Sequence, residues 1–190
     1  MIKSSLRKLY KEKRKLMSPK VIDEASQAIT ETVLSNFQLE GKTVSIFLPI
    51  ERHFEINTYG LMERAHSFGV KIGLPVADFH HNTLIHRIYN EDTILNLNEF
   101  DIPEPTNGKK IPSEAFDYVF VPLLAVDKNG YRVGYGKGFY DRFLKTCKPS
   151  CKFIGLHLFD LVDEIDDKEK TDIPLHILVT PKEIVYFHHL

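Results

Sequence analysis

The chain has 190 residues, 43% of them hydrophobic and 27% charged, and a formal net charge of -1. These values suit one soluble globular domain with a real core, and they exclude a global basic field that would draw the chain to nucleic acid or to a membrane surface. No apolar run reaches spanning length, cations such as Lys3, Arg7, Lys11 and Arg14 punctuate the segment where a signal core would sit, and two cysteines cannot build a disulfide framework or a four-ligand zinc site. The expectation is a cytoplasmic monomer with free thiols at Cys147 and Cys151 and no nucleic-acid or membrane partner.

Residues 2–17 read as a helix. Leu6, Leu9, Tyr10, Leu16 and Met17 can share one face, and Lys3, Arg7, Lys11 and Arg14 fall on another. A basic stripe of this kind is by default a solvated helix face. Ser18-Pro19 stops this helix and starts a second over 19–36, with proline in its first turn. Thr43 to Leu48 is an apolar strand closed by Pro49. A helix over 56–67 ends before Gly69, and Val70 to Leu74 is a strand closed by Pro75. Leu84 to Tyr89 is a further strand. Residues 90–115 lack periodicity and contain the stiff Ile102-Pro103-Glu104-Pro105. Tyr118 to Val121 is strongly apolar and closed by Pro122. Asp127-Lys128-Asn129-Gly130 is a turn, and a helix follows from about 138 to 145. Phe153 to Leu158, Ile177 to Val179 and Ile184 to Phe187 complete the strands. Strands that alternate with helices and are nearly continuous in hydrophobicity argue for an α/β fold, with a mostly parallel sheet covered by helices on both faces.

The most informative segment is Arg132-Val133-Gly134-Tyr135-Gly136-Lys137-Gly138-Phe139-Tyr140-Asp141. Alternating glycines leave one side of an extended backbone bare, so an anion can approach main-chain N–H groups. Lys137 adds a point charge for phosphate, and Asp141, one helical turn later, can hold a divalent metal beside it. The segment is neither a Walker A loop, which needs glycine at 131 and Ser or Thr at 138, nor a dinucleotide fingerprint, which needs glycine at 139. What remains is a nucleotide-phosphate loop ending at a helix start. Taken alone, glycines here are a turn, and an acid in a first helical turn is a dipole partner. Phe139, Phe143 and Leu144 are expected to pack that helix onto the core.

This stretch, with Val121-Pro122, Asp127 and Gly130 before it and Arg142 after it, resembles the 5-formyltetrahydrofolate cyclo-ligase family, also called 5,10-methenyltetrahydrofolate synthetases. Lys3-Ser4-Ser5-Leu6-Arg7 is similar to that family's opening element. Ile46-Phe47-Leu48-Pro49 with Glu55-Ile56-Asn57-Thr58 is similar to its strand and substrate glutamate. Ile102-Pro103-Glu104-Pro105 is similar to its middle loop, and Ile154-Gly155-Leu156, Asp172 and Val179-Thr180 to its C-terminal third.

The resemblance implies a single domain over 1–190 with a NagB/ribose-5-phosphate isomerase/CoA-transferase-like fold. It implies ATP-dependent conversion of 5-formyltetrahydrofolate to 5,10-methenyltetrahydrofolate, with Mg2+ and with ATP and reduced folate as partners. By position, ATP would meet Lys3, Arg7, Arg132, Gly134, Tyr135, Gly136, Lys137, Gly138, Phe139 and Tyr140. The folate would meet Leu48, Glu55 and residues 135–140, Asp141 and Asp172 would serve the metal, and Lys137 and Arg132 would act on the reacting groups. The segment between Leu48 and Glu55 is longer than in some members, so Glu51 is a second acid for the pterin; Ile56-Asn57-Thr58 favours Glu55. Phe139 stands where the family often has tyrosine.

Two other readings stay open: a non-enzymatic nucleotide- or RNA-binding relative, and an ATP-dependent ligase of another N-formyl or amide substrate. His80-His81 and His188-His189 are adjacent pairs that splay apart and do not make a metal site. Asp163, Glu164, Asp166, Asp167 and Glu169 read as a solvated acidic segment.

Overall fold

The computed structural model describes residues 1–188, so the second histidine of the His188-His189 pair lies outside it. Four α-helices are α1 Lys3–Lys15, α2 Pro19–Asn36, α3 Tyr59–Ser67 and α4 Phe139–Leu144. The strands are β1 Thr43–Ser45, β2 Lys71–Asp78, β3 Thr83–Ile88, β4 Leu95–Leu97, β5 Pro103–Pro105, β6 Lys110–Ile111, β7 Tyr118–Pro122, β8 Ala125–Val126, β9 Arg132–Val133, β10 Lys152–Leu156, β11 Ile177–Val179 and β12 Ile184–Tyr186.

Eight strands form one sheet in the order β12-β11-β10-β7-β1-β2-β3-β6. The central five, β11, β10, β7, β1 and β2, pair in parallel, and β12, β3 and β6 add antiparallel edges. This is an α/β fold, as the alternation of elements predicts. The chain runs from β1 to β2 on one side and then returns to place β7 on the other side of β1. That reversal is a topological switch point, and crevices for ligands open at the carboxyl ends of the strands flanking it.

The period of two along each parallel strand decides which core it feeds. Phe120, Ile154, Leu156, Ile177 and Val179 point to the layer holding Ile29 and Val33 of α2 and Leu61, Met62 and Ala65 of α3. Val119, Val121, Phe153 and Leu178 point to the opposite layer, with Phe143 and Leu144 of α4, Phe116 and Phe187. Helices therefore cover both faces unequally, and only the short α4 covers the second.

Several boundaries differ from the sequence reading for physical reasons. β1 stops at Ser45, not Leu48: Ile46 N–H still bonds the Gly73 carbonyl at 3.1 Å, but Phe47, Leu48 and Pro49 lie outside the strand, and the Phe47 carbonyl accepts the Thr58 hydroxyl. α3 begins at Tyr59 and not at 56: Asn57 Oδ1 accepts the Tyr59 N–H at 3.1 Å, and the N-cap Thr58 donates its hydroxyl to the Phe47 carbonyl. Residues 90–115, aperiodic in sequence, hold the β4–β5 hairpin and β6. α2 starts as expected: Ser18 Oγ accepts from Val21 N–H at 3.4 Å and Pro19 occupies the first turn.

α1 lies across the carboxyl end of the sheet. Leu6 and Tyr10 bury against Leu124, Ala125, Val133 and Ile165. A fully buried leucine is worth about 1.5–3 kcal/mol, so this apolar face holds the helix in place. The acidic segment that reads as solvated moors its start. Asp167 accepts the Lys3 N–H at 2.7 Å, the Glu164 carbonyl takes the terminal ammonium at 3.0 Å, and Asp166 pairs with that ammonium. Among the described residues, no helix is long and apolar enough to cross a membrane.

Candidate active site

A cavity of about 870 Å³ opens at the switch point, and Lys3, Arg7, Leu48, Glu55, Arg132, residues 134–140, Asp141 and Asp172 all line it. Leu48 and Pro122 follow or end the two strands that flank the reversal. The volume is that of a site for drug-sized or larger ligands.

The glycine loop joins β9 to α4. It is not the extended ribbon that the alternation suggests: Gly136 and Gly138 have φ of +93° and +68°, so the loop folds through two left-handed residues. A Cβ on Gly136 would lie 3.3 Å from the Arg7 guanidinium, and one on Gly138 would lie 2.9 Å from Arg142 Nη1. Gly134 differs, because a Cβ there would meet nothing within 4 Å. Arg7 Nε donates to the Gly134 carbonyl at 3.0 Å, which ties α1 to the loop. Arg142 donates to the Lys137 and Asn82 carbonyls and so ties the loop to the β2–β3 turn. Lys137 itself is exposed at the cavity wall.

Arg132 and the two candidate metal carboxylates occur as ion pairs. Arg132, whose side chain is 6% exposed, donates from Nη2 to Asp141 Oδ1 at 2.9 Å and from Nη1 to the Ile173 carbonyl. Asp141 Oδ1 also accepts the Ile173 N–H at 3.1 Å. Lys3 Nζ reaches Asp172 Oδ2 at 2.6 Å, and that oxygen also accepts the Glu169 N–H at 2.7 Å. Each carboxylate thus has one oxygen engaged by protein, while Asp141 Oδ2 and Asp172 Oδ1 make no such bond among the described residues. No cluster of three or more His, Cys, Asp and Glu side chains is placed to hold a metal among the described residues. Two half-free carboxylates beside an anion loop nevertheless fit Mg2+, which binds through one or two carboxylates plus phosphate oxygens and water.

The other end of the cavity centres on Glu55, a buried residue 6% exposed. Its Oε2 accepts the Ile50 N–H at 2.8 Å, and its Oε1 accepts the Tyr135 hydroxyl. Burial raises its pKa above the ordinary carboxylate value, and Arg14, Tyr135 and the Ile50 N–H oppose that rise. Burial and the nearby Glu55 charge push both Tyr135 and Tyr140 well above the ordinary phenol value, so both keep their protons. His53 stacks on the Tyr135 ring at 4.8 Å between centroids, and burial lowers its pKa, with Arg52, Lys11 and Arg14 adding to the effect. Glu51 is exposed in the short turn before Glu55 and lies outside the cavity wall.

Aromatic rings close the mouth. Phe79 lies 4.4 Å from Phe100 and 5.3 Å from Phe139 between ring centroids. Phe139 is therefore a wall residue and not part of the core, whereas Phe143 and Leu144 are buried as expected. Arg52 crosses to the β4–β5 hairpin, donating to the Phe100 carbonyl and pairing with Asp101, both at 2.8 Å.

Arg14 is the residue that sequence reasoning misplaces. It stands on the basic stripe read as solvated, yet it is 2% exposed. The whole stripe turns toward the cavity: Lys3 to Asp172, Arg7 to the glycine loop, and Lys11 over the Tyr135 ring at 5.4 Å. The stripe itself was the available signal, but a loop 120 residues further along the chain determines whether it is covered.

Comparison with known proteins gives the family. A sequence model of the 5-formyltetrahydrofolate cyclo-ligase family matches residues 1–181. The 5-formyltetrahydrofolate cyclo-ligase of Escherichia coli K12 is 30% identical over 182 residues, covering 93% of this chain and 98% of its own. The Mycolicibacterium smegmatis enzyme of the same name is 30% identical over 188 residues, covering 95% and 94%. The solution structure of Aquifex aeolicus 5,10-methenyltetrahydrofolate synthetase superimposes with a TM-score of 0.85 at 28% identity, covering all of this chain and 94% of that one. The Mycoplasma pneumoniae synthetase, 20% identical with a TM-score of 0.75, shares the fold. With its glycine loop, paired carboxylates and buried Glu55 at one switch-point cavity, the chain belongs to the 5-formyltetrahydrofolate cyclo-ligase family.

Proposed function

We propose that this single-domain enzyme converts 5-formyltetrahydrofolate and ATP to 5,10-methenyltetrahydrofolate, ADP and phosphate by phosphorylating the formyl oxygen. The observation that carries the reading is the polarity of one cavity: cations and backbone N–H groups at the glycine loop, and a buried carboxylate among aromatic and apolar walls at Glu55.

The N5-formyl group is amide-like, so its carbon is a poor electrophile and its oxygen a poor leaving group. Attack of the formyl oxygen on the γ-phosphorus forms the O–P bond and releases ADP, leaving an iminium-like carbon. N10 then attacks that carbon with loss of its proton, and phosphate departs with the former formyl oxygen to give the methenyl bridge. The protein's task is alignment and charge screening. Gly134 offers open backbone for the phosphates, Lys137 neutralises charge on the transferring group, and Arg7 fixes the loop. Arg132 lines the cavity with its guanidinium paired to Asp141 and the Ile173 carbonyl, so it orients that carboxylate beside the phosphates. Asp141 and Asp172 would hold Mg2+, which when bound supplies charge neutralisation for the phosphates. At the other end, Glu55 suits the donor edge of a 2-amino-4-oxopteridine, and Leu48, Tyr135, Phe139 and Tyr140 supply its walls.

The test is a rise in methenyl-folate absorbance when the protein meets 5-formyltetrahydrofolate, ATP and Mg2+. Turnover dependent on all three is the expected result. No absorbance change would leave a binding relative, and ATP hydrolysis only with another N-formyl or amide compound would reassign the substrate.

A further inference from the structure

We infer that Arg14 is a positioning residue for the folate end of the site, its guanidinium fixing the Glu55 carboxylate and the Tyr135 hydroxyl in the arrangement that receives the substrate. The inference rests on the folate reading of Glu55 given above.

The guanidinium fork spans three segments. Nη2 donates to the Leu123 carbonyl at 2.5 Å, just after β7. Nη1 donates to the Tyr135 hydroxyl at 3.2 Å and lies 3.8 Å from Glu55 Oε1. Tyr135 in turn donates its proton to Glu55 Oε1, so guanidinium, phenol and carboxylate form a closed triangle. α1, the strand end after β7 and the glycine loop are thereby locked to the wall on which the pterin would sit.

Stability alone does not account for this arginine. Its Nε is buried without a hydrogen-bond partner among the described residues, and its contact with Glu55 is too long for a hydrogen bond. A buried pair with that geometry scarcely repays its desolvation, and an apolar residue of similar volume would fill the space as well. What the arginine provides is a fixed positive charge. Without it, a carboxylate buried beside Tyr135 and Tyr140 would tend to take up a proton and lose its ability to accept from the pterin. The other charged or titratable groups facing this cluster are His53, stacked on Tyr135, Lys11, over the same ring, and the buried His157, whose pKa is lowered by its burial and then by the Arg14 charge.

The experiment compares the wild-type enzyme with R14M, R14K, E55Q and R14M/E55Q, measuring kcat and the KM for each substrate from about pH 5 to about pH 8, alongside thermal melts. R14M is expected to raise the folate KM roughly ten- to hundredfold, the usual range for losing a charged hydrogen-bonding partner. The ATP KM should move less than about twofold. The folate effect should grow as pH falls, since Glu55 then protonates at a higher pH than in the wild type. R14K should restore the acid limb in part, because it keeps the charge and loses the fork. R14M/E55Q should be no worse than E55Q. His53 would also titrate more easily without Arg14, so the pH shift should persist in R14M/H53Q and vanish in R14M/E55Q.

Equal changes in both KM values, additive losses in R14M/E55Q, or kinetics per folded molecule unchanged in R14K and R14M would overturn the inference. A wild-type enzyme that neither binds nor turns over 5-formyltetrahydrofolate would sink the folate reading itself, and the inference with it.

Discussion

The two ends of the cavity are built differently. The proposed phosphate end is local: residues 132–142 supply the loop, its lysine, the carboxylate proposed for the metal and the arginine paired with it, and Lys3, Arg7 and Asp172 come from elsewhere. The proposed folate end is assembled: Arg14, Glu55, Leu123 and Tyr135 meet through hydrogen bonds that span 80, 109 and 121 residues of sequence. A local site survives or fails with one segment, whereas an assembled site depends on how α1 and the loops are docked. Substitutions at the first end should therefore strike turnover, and those at the second should strike substrate affinity and its pH dependence.

The largest effect is expected at the phosphate end. Lys137→Ala removes the exposed cation proposed to neutralise the transferring group and should lower kcat about 10²–10³-fold, with the folate KM and the melting temperature little changed. If the melting temperature fell while turnover per folded molecule stayed intact, Lys137 would be structural. Next comes Asp141. Asp141→Ala leaves the buried Arg132 guanidinium unpaired and should cost about 3 kcal/mol in denaturant unfolding. Asp141→Asn keeps a hydrogen-bond acceptor, so it should unfold more nearly like the wild type while requiring more Mg2+ for half-maximal rate. An unchanged Mg2+ dependence would remove Asp141 from the ligand set.

Gly136→Ala should act more mildly and on ATP. The residue has φ of +93°, and a methyl group would press on Arg7 at 3.3 Å. The strain is about 1–3 kcal/mol, and a displaced Arg7 should raise the ATP KM while sparing the folate KM. A folate effect of equal size would show that the two ends are mechanically coupled through the loop.

The effect that is smallest at neutral pH lies outside the cavity. His86 and His157 are buried, and desolvation lowers each pKa from 6.5 to about 3. Below pH 6.5 the unfolded chain binds protons that the folded chain refuses, so each histidine makes stability fall as pH drops from about 6.5 toward 3. The slope is about 1.4 kcal/mol per pH unit for each histidine once the unfolded imidazole is fully protonated. His86 shares a 2.8 Å hydrogen bond with the buried Ser45 hydroxyl, whereas neither ring nitrogen of His157 has a partner among the described residues. His157→Phe should therefore flatten the acid side of the stability curve and raise the melting temperature at pH 5. A steeper acid slope in the variant would mean that His157 has a proton partner in solution.

The same contrast explains what the sequence reveals. The alternation of apolar strands with periodic helices gives the α/β sheet, and Pro122 ends β7 as expected, whereas β2 runs through Pro75 to Asp78 because its pairing with β3 continues past the proline, Pro75 lying opposite His86. The phosphate loop is legible because its glycines, lysine and carboxylate are contiguous. Its shape is not: two left-handed glycines replace an extended ribbon, a backbone choice that composition alone does not specify. Glu55 looks like a helix-start acid, but α3 begins only at Tyr59 and the Glu55 carboxylate accepts from the Ile50 N–H and the Tyr135 hydroxyl instead. Arg14 looks solvated because helical periodicity records which residues share a face and not what lies over it. The acidic residues of 163–169 are exposed, as their charge predicts, but the sequence does not show that Asp166 and Asp167 also anchor the start of α1.

The most direct test of the account is a crystal structure of the enzyme with a non-hydrolysable ATP analogue, Mg2+ and 5-formyltetrahydrofolate. The predicted result has the phosphates on the backbone around Gly134 with Lys137 at the γ position, the metal between Asp141 and Asp172, and the pterin edge against Glu55. A nucleotide bound away from residues 134–138, or a pterin with Glu55 buried behind it and out of contact, would contradict the account.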